Sequence, residues 1–351
     1  MSYAAESRRG LLAAFFPDAM PTLWCPLLTH YDANGAVDRI RMAAHLRHVA
    51  RHVKGVLVPG STGDGWELSD AEAETALAVV LGEAHALRLH VLIGLLKPDQ
   101  VSVVSSFLAL SQGLLAPLAH FTPAAFNERL RAARVCGFAV CPPHGSSLTP
   151  DDLQRELAGV LELGLPTALY QLPQVTQNEM TPPMVAALAR RFPNFIMFKD
   201  SSGTDAVALA RHDYGGVVFV RGAEGDYARW LRNAGGAYDG FLLSTANCLA
   251  APLAQLVGLI AAGEMAQATQ LSERLTALVN EEFELVKGLE GGNAFANANK
   301  AMDHFFAFGP RADDAPPPRL HCGRFLPVAI IQATGDALKR HGFMPTRGYL
   351  E

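Results

Sequence analysis

Lys199 closes the run Phe195-Ile196-Met197-Phe198-Lys199-Asp200-Ser201-Ser202-Gly203, in which four apolar residues give way at once to a cation, an acid, two hydroxyls and a glycine. A lysine held at the mouth of an apolar environment loses the hydration that favours its ammonium form, and the neutral amine is a nucleophile towards carbonyl carbon. The chemistry this points to is a Schiff base. Taken alone, Lys199 reads by default as a strand-end residue snorkelling to water. Of the six lysines, Lys54, Lys287, Lys300 and Lys339 fall in helix-like, charged or Gly-rich surroundings; Lys97, the other strand-end lysine, precedes Pro98 and lacks the hydroxyl cluster. Three more segments place reactive groups after apolar runs. Gly60-Ser61-Thr62-Gly63-Asp64-Gly65 has glycines that free backbone amides and hydroxyls suited to a carboxylate. The others are Tyr170-Gln171-Leu172-Pro173 and Ser244-Thr245-Ala246-Asn247.

The elements that must position these residues alternate in type. Strand-like runs occur at Thr22 to Thr29, Gly55 to Pro59, His90 to Leu96, Gly137 to Cys141, Pro166 to Leu172, Phe195 to Lys199, Val217 to Val220 and Tyr238 to Leu243, with helical patterns between them. Ser69 with Glu72 forms a capping box, and Thr149-Pro150-Asp151-Asp152 supplies a cap, a first-turn proline and two acids. Eight strands with helical crossovers predict a closed (β/α)8 barrel, whose chemistry sits on the loops that follow the strands. Glu264 to Val286, Asn297 to Phe308 and Pro327 to His341 read as three further helices. The expected division is an N-terminal extension over 1–21, a barrel over 22–263 and a helical appendage over 264–351.

Composition narrows the partners. With 50% hydrophobic and 18% charged residues in 351, the chain has the balance of a globular protein with a large core. A net charge of -5 offers no basic patch for nucleic acid and no polybasic membrane anchor. The five cysteines, Cys25, Cys136, Cys141, Cys248 and Cys322, form no C-x-x-C pair, which fits a reducing cytoplasm. Arg8 and Arg9 before Leu11-Leu12-Ala13-Ala14-Phe15-Phe16 imitate a signal peptide, but Pro17-Asp18 follows without a small-x-small site, so the segment reads as a helical extension. No stretch is long and apolar enough for a membrane helix. His45, His48 and His52 share a helix face among Arg41, Arg47, Arg51 and Lys54, which predicts a solvated basic face in preference to a metal site.

In their order along the chain, the G-S-T-G loop, the strand-five tyrosine, the strand-six lysine and the hydroxyls after strand eight resemble the dihydrodipicolinate synthase and N-acetylneuraminate lyase family, the pyruvate-type class I aldolases and dehydratases. The likeness runs from about Thr22 to the C-terminal helices and takes in Gly35, Gly222, Gly235-Gly236 and Asn293 to His304. It implies that Lys199 forms the imine with the ketone of a 2-oxo acid. It gives Ser61 and Thr62 the carboxylate, Thr62 a share in proton relay, and Tyr170 the traffic of protons to the carbinolamine. Gly222, Ser244 and His144 fall at its substrate-binding positions. The protonated imine is its own electron sink, so neither metal nor cofactor is expected. The resemblance also implies assembly into dimers or tetramers. The alternatives are dehydration of a 2-keto-3-deoxy sugar acid through the same imine, or a 2-oxo acid binding protein without turnover.

The chain departs from that pattern at informative places. Val175 stands where the synthase has the arginine that grips its second substrate, and an acidic pair of the lyase becomes Glu224-Gly225. His144 replaces an aromatic residue after strand four, and Asp64 replaces a glutamate. An extra segment between about Ser111 and Arg131 lies on the helix side of the third crossover.

Overall fold

A computed structural model describes residues 3–106 and 122–351. Eight parallel strands close into a barrel in chain order, as expected. They are β1 (Leu23–Pro26), β2 (Gly55–Val58), β3 (His90–Leu95), β4 (Val135–Val140), β5 (Thr167–Gln171), β6 (Phe195–Asp200), β7 (Val218–Arg221) and β8 (Gly240–Leu242). Their residues are buried on both faces, which is why they read as continuous apolar runs without alternation. The helices are α1 (Tyr3–Phe15), α2 (Arg39–Val49), α3 (Asp70–Ala84), α4 (Pro123–Ala132), α5 (Pro150–Leu161), α6 (Pro182–Arg191), α7 (Ala250–Ala261), α8 (Met265–Leu285), α9 (Ala294–Phe308) and α10 (Val328–His341). Both capping boxes form, Ser69 with Glu72 on α3 and Thr149 with Asp152 on α5. Of the segment at 111–131, residues 111–121 lie outside the described residues.

Within the barrel, two crossovers depart from the expected helices. Between β6 and β7 only Ala206–Leu209 is helical, and between β7 and β8 there are two 3-10 turns, Tyr227–Arg229 and Arg232–Ala234. Left-handed residues interrupt both stretches: Gly203, Asp205, Gly215 and Gly216 in the first, Gly225, Asp226 and Gly235 in the second.

The chain divides into two compact units. The first comprises Met1–Thr22, His90–Ala223 and Ala237–Phe241. Here α1 packs on α6 and β6, lying over the strand whose own crossover supplies a single helical turn. Arg8, on α1, is fully buried and donates to the carbonyls of Phe195 (2.6 Å), Gly215 (2.5 Å), Ala189 (2.6 Å) and Phe192 (2.8 Å). Those oxygens belong to the C-terminal turn of α6, the base of β6 and the following loop, so one guanidinium satisfies four acceptors where ordinary caps are missing. Burial lowers the Arg8 pKa to about 10, opposed by Asp213, and it remains a cation at neutral pH.

The second unit comprises Leu23–Leu89, Glu224–Gly236 and Leu242–Glu351. In it α8 packs against α7 and α10, and α9 against α10 and the Ser61–Gly63 turn. The histidine face of α2 is not solvated throughout: His45 is fully buried. Its Nε2 donates to the Asn247 carbonyl at 2.8 Å, which leaves Nδ1 to accept from His30 Nε2 at 3.0 Å. Asp303 beside this pair accepts from Arg41 at 3.0 Å and Tyr349 at 3.0 Å. His30, His45 and Asp303 offer ligand atoms within 4.8 Å of one another, but their hydrogen bonds and the Arg41 charge already occupy them.

Candidate active site

Two neighbouring strands of the first unit bring the predicted nucleophile and proton carrier together. The β5–β6 register sets Tyr170 opposite Lys199, and both are almost wholly buried. Lys199 Nζ lies 3.6 Å from the centroid of the Tyr170 ring. A cation held over an aromatic face is stabilised by the ring quadrupole.

Burial pushes the Tyr170 phenol well above its ordinary range, Cys141 adds to the effect, and a hydrogen bond with Ser201 opposes it. The phenol is therefore neutral at physiological pH and a proton donor. Cys141, just past β4, is buried, its thiol raised by burial and drawn back by Lys199.

The β6 loop is fixed by polar contacts. Asp200 accepts from Ser202 N (2.9 Å) and Oγ (2.6 Å). Tyr238 donates to Asp205 at 2.6 Å, and Arg221 forms a two-pronged pair with Asp205 at 2.9 and 3.1 Å. Burial, then the charge of Asp205, raises the Asp200 carboxyl, and the Ser202 bonds hold it down. From the helical turn after β5, Gln174 donates to the Ser201 carbonyl at 3.1 Å. Gly222 donates to the Asp200 carbonyl at 2.6 Å. A side chain at Gly222 would run into Ser201 Oγ and come 2.9 Å from Lys199 Cε. His144 is exposed in the loop after β4, its backbone N–H on the Pro98 carbonyl and its pKa lowered by partial desolvation. Val175 is half-buried in the helical turn Pro173–Thr176.

In the second unit, Ser61 and Thr62 are buried in a single 3-10 turn that ends at Asp64 in the left-handed region. Ser61 Oγ has no hydrogen-bond partner among the described residues. A buried hydroxyl left so invites an acceptor such as a carboxylate. The turn is clamped from three sides. Thr29 donates to the Gly63 carbonyl at 2.7 Å, and Asn293, the cap of α9, donates to the Ser61 carbonyl at 2.9 Å. Lys300 pairs with Asp64 at 2.6 Å, and Tyr31 donates to the same oxygen at 2.9 Å. Lys300 lies on a helix as expected, yet it is buried and structurally committed. Ser244 donates to Glu224 at 2.7 Å, and the same carboxylate takes Thr245 N (3.1 Å), Thr245 Oγ1 (2.8 Å) and Tyr227 (2.9 Å). Glu224 is thus engaged with its own protein and holds the β8 loop.

Sequence reasoning overlooked Tyr31 and the pairing of Lys300 with Asp64. The one available signal was an acid placed next to a glycine-rich turn, which needs a cation if it is buried.

The model of the dihydrodipicolinate synthetase family matches residues 127–288. The 4-hydroxy-tetrahydrodipicolinate synthase of Sodalis glossinidius is 26% identical over 264 residues, 73% of this chain and 81% of that protein. A DapA-like lyase of Rhizobium meliloti is 29% identical over 175 residues, 50% of this chain and 51% of its own length. Among solved structures, YagE, a prophage protein of the dihydrodipicolinic acid synthase family from E. coli K12 in complex with pyruvate, superposes with a TM-score of 0.71 at 19% identity, over 92% of this chain and 99% of that one.

Proposed function

The chain belongs to the dihydrodipicolinate synthetase family, and from that premise we propose that it is a Schiff-base lyase of the aldolase type acting on pyruvate or a longer 2-oxo acid. The observation that carries the reading is Lys199 Nζ, 3.6 Å from the Tyr170 ring centre at the ends of paired strands. Attack on a ketone needs an amine free of its proton, and loss of the carbinolamine oxygen needs an acid within reach. A buried neutral phenol beside the amine supplies the second requirement. Ser61 and Thr62 keep the carboxylate role that the sequence resemblance gives them, supported by the unpartnered Ser61 hydroxyl. Val175 in place of an arginine favours a neutral second substrate over an acidic one. Assembly as a dimer or tetramer belongs to the same proposal.

Borohydride trapping tests it. Incubation with pyruvate, reduction, digestion and mass spectrometry should place the adduct on Lys199, and Lys199→Ala should abolish it. An adduct with a longer 2-oxo acid alone would favour the dehydratase reading. No adduct with any 2-oxo acid on folded protein would sink the lyase.

A further inference from the structure

We infer that the cleft between the end of α2 and residues 347–351 binds the phosphate group of a small molecule, free phosphate or a monoester, through the guanidinium groups of Arg47, Arg51 and Arg347. The inference is independent of the Schiff-base reading. It gives a task to the basic face of α2, which the barrel's chemistry leaves unused.

The cleft lies wholly within the second unit and has a volume of about 490 Å3, the size of a site for a small metabolite. Its arginines come from two segments far apart in the chain, and both segments are fixed. Tyr349 and Leu350 donate their N–H groups to the Phe306 and Ala307 carbonyls at 2.9 and 3.0 Å, which fastens the C-terminal segment to the end of α9. The Tyr349 phenol donates to Asp303 at 3.0 Å, and its ring centre lies 5.1 Å from that of His48 on α2. The walls are therefore set without a ligand, and binding need not order them.

What lines the cleft is a set of donors short of acceptors. Arg51 gives Nε to the His48 carbonyl at 3.2 Å and Nη2 to His48 Nδ1, and it meets no carboxylate among the described residues. Because Nδ1 accepts, the His48 ring proton sits on Nε2, a further donor. Burial first, then His45 and Arg51, lower the His48 pKa to about 4, so the ring is neutral at pH 7. Arg47 bonds Glu83 through Nε at 3.0 Å and through Nη2, which leaves its Nη1 groups. Arg347 makes no hydrogen bond among the described residues, its Nε standing 3.8 Å from Glu351 Oε2. The lining residues thus carry three positive charges against one negative, in a chain whose net charge is -5. A phosphate monoester, with a charge of about -1.5 to -2, matches that excess. Its three peripheral oxygens let forks on opposite walls grip it together, whereas a carboxylate occupies one fork. Glu351, also 3.6 Å from Arg311, is the acid that the phosphate would displace from Arg347.

The test is calorimetric titration of the full chain with inorganic phosphate, glucose 6-phosphate, glucose and succinate, in a chloride buffer of low ionic strength. One saturable site per chain is expected for phosphate, with a Kd below about 1 mM, and none for glucose. Tighter binding of glucose 6-phosphate would identify the occupant as a monoester, and equal or tighter binding of inorganic phosphate as the free anion. Arg51→Gln and Arg347→Gln should each weaken binding by about ten- to a hundredfold, the value of one charge-assisted pair. Both side chains are exposed, so both variants should keep the wild-type thermal midpoint. Glu351→Gln should tighten binding severalfold by removing the competing carboxylate, a gain that diffuse attraction to surface charge would not single out. Absence of saturable phosphate binding, succinate bound as tightly as phosphate, or a loss under threefold in both arginine variants would overturn the inference.

Discussion

Glu282 on α8 is fully buried against α10, where its Oε2 accepts from Thr334 Oγ1 at 2.8 Å and its Oε1 has no partner among the described residues. Burial first, and the charge of Glu281 second, raise its pKa from 4.5 to about 7, against the Thr334 hydrogen bond. Between those two values the folded chain holds a proton that the unfolded chain has released, so stability falls as pH rises through the window. A shift of about 2.5 units at roughly 1.4 kcal/mol each amounts to about 3 kcal/mol, fully lost above pH 8. Glu282→Gln keeps the shape and the acceptor for Thr334 but cannot ionise. Urea denaturation of both proteins at pH 5, 6, 7 and 8 isolates this group, because the other titrations cancel in the difference. The variant should be close to wild type at pH 5 and more stable by about 3 kcal/mol at pH 8. Parallel stability curves across that range would refute the assignment of a protonated, buried carboxyl.

Two further outcomes follow from buried charges. Arg8→Met leaves four carbonyl acceptors at the base of β6 without their donor and should cost about 3 kcal/mol or more, visible as a lowered thermal midpoint. Lys300→Met leaves Asp64 charged and unpaired in the interior and should cost about 3 to 5 kcal/mol, whereas adding Asp64→Asn should recover a large part of it. Urea titration of the two single variants and the double variant reads this coupling, and simple additivity would contradict it.

The strands and most helices were legible because their causes are local. Four consecutive apolar residues before Lys199, a Ser69–Glu72 box and a Thr149-Pro150 start each specify their element from within a few positions. The pairing of Tyr170 with Lys199 was legible too, since one crossover sets consecutive parallel strands side by side. What stayed hidden depends on partners far along the chain. Arg8 read only as part of a helical extension because its acceptors lie more than 180 residues away. His45 looked like a surface group, and Lys300 like an ordinary helix lysine, because Asn247 and Asp64, their partners, belong to other elements. The missing crossover helices had a local signal, the glycines at 203, 215, 216 and 225, but the barrel period outweighed it in the reading.

The Arg8 contacts also impose an order in time. Its most distant acceptor is separated from it by 207 residues, and at about 5 to 20 residues per second a ribosome needs roughly 10 to 40 s to span that stretch. For most of that interval α1 has left the tunnel while the helix and strand it packs on, and three of the four Arg8 acceptors, are still unmade. This helix is therefore late to complete its docking in its unit, and nascent chains halted before residue 182 would leave the buried side of Arg8 uncovered for chaperones to hold.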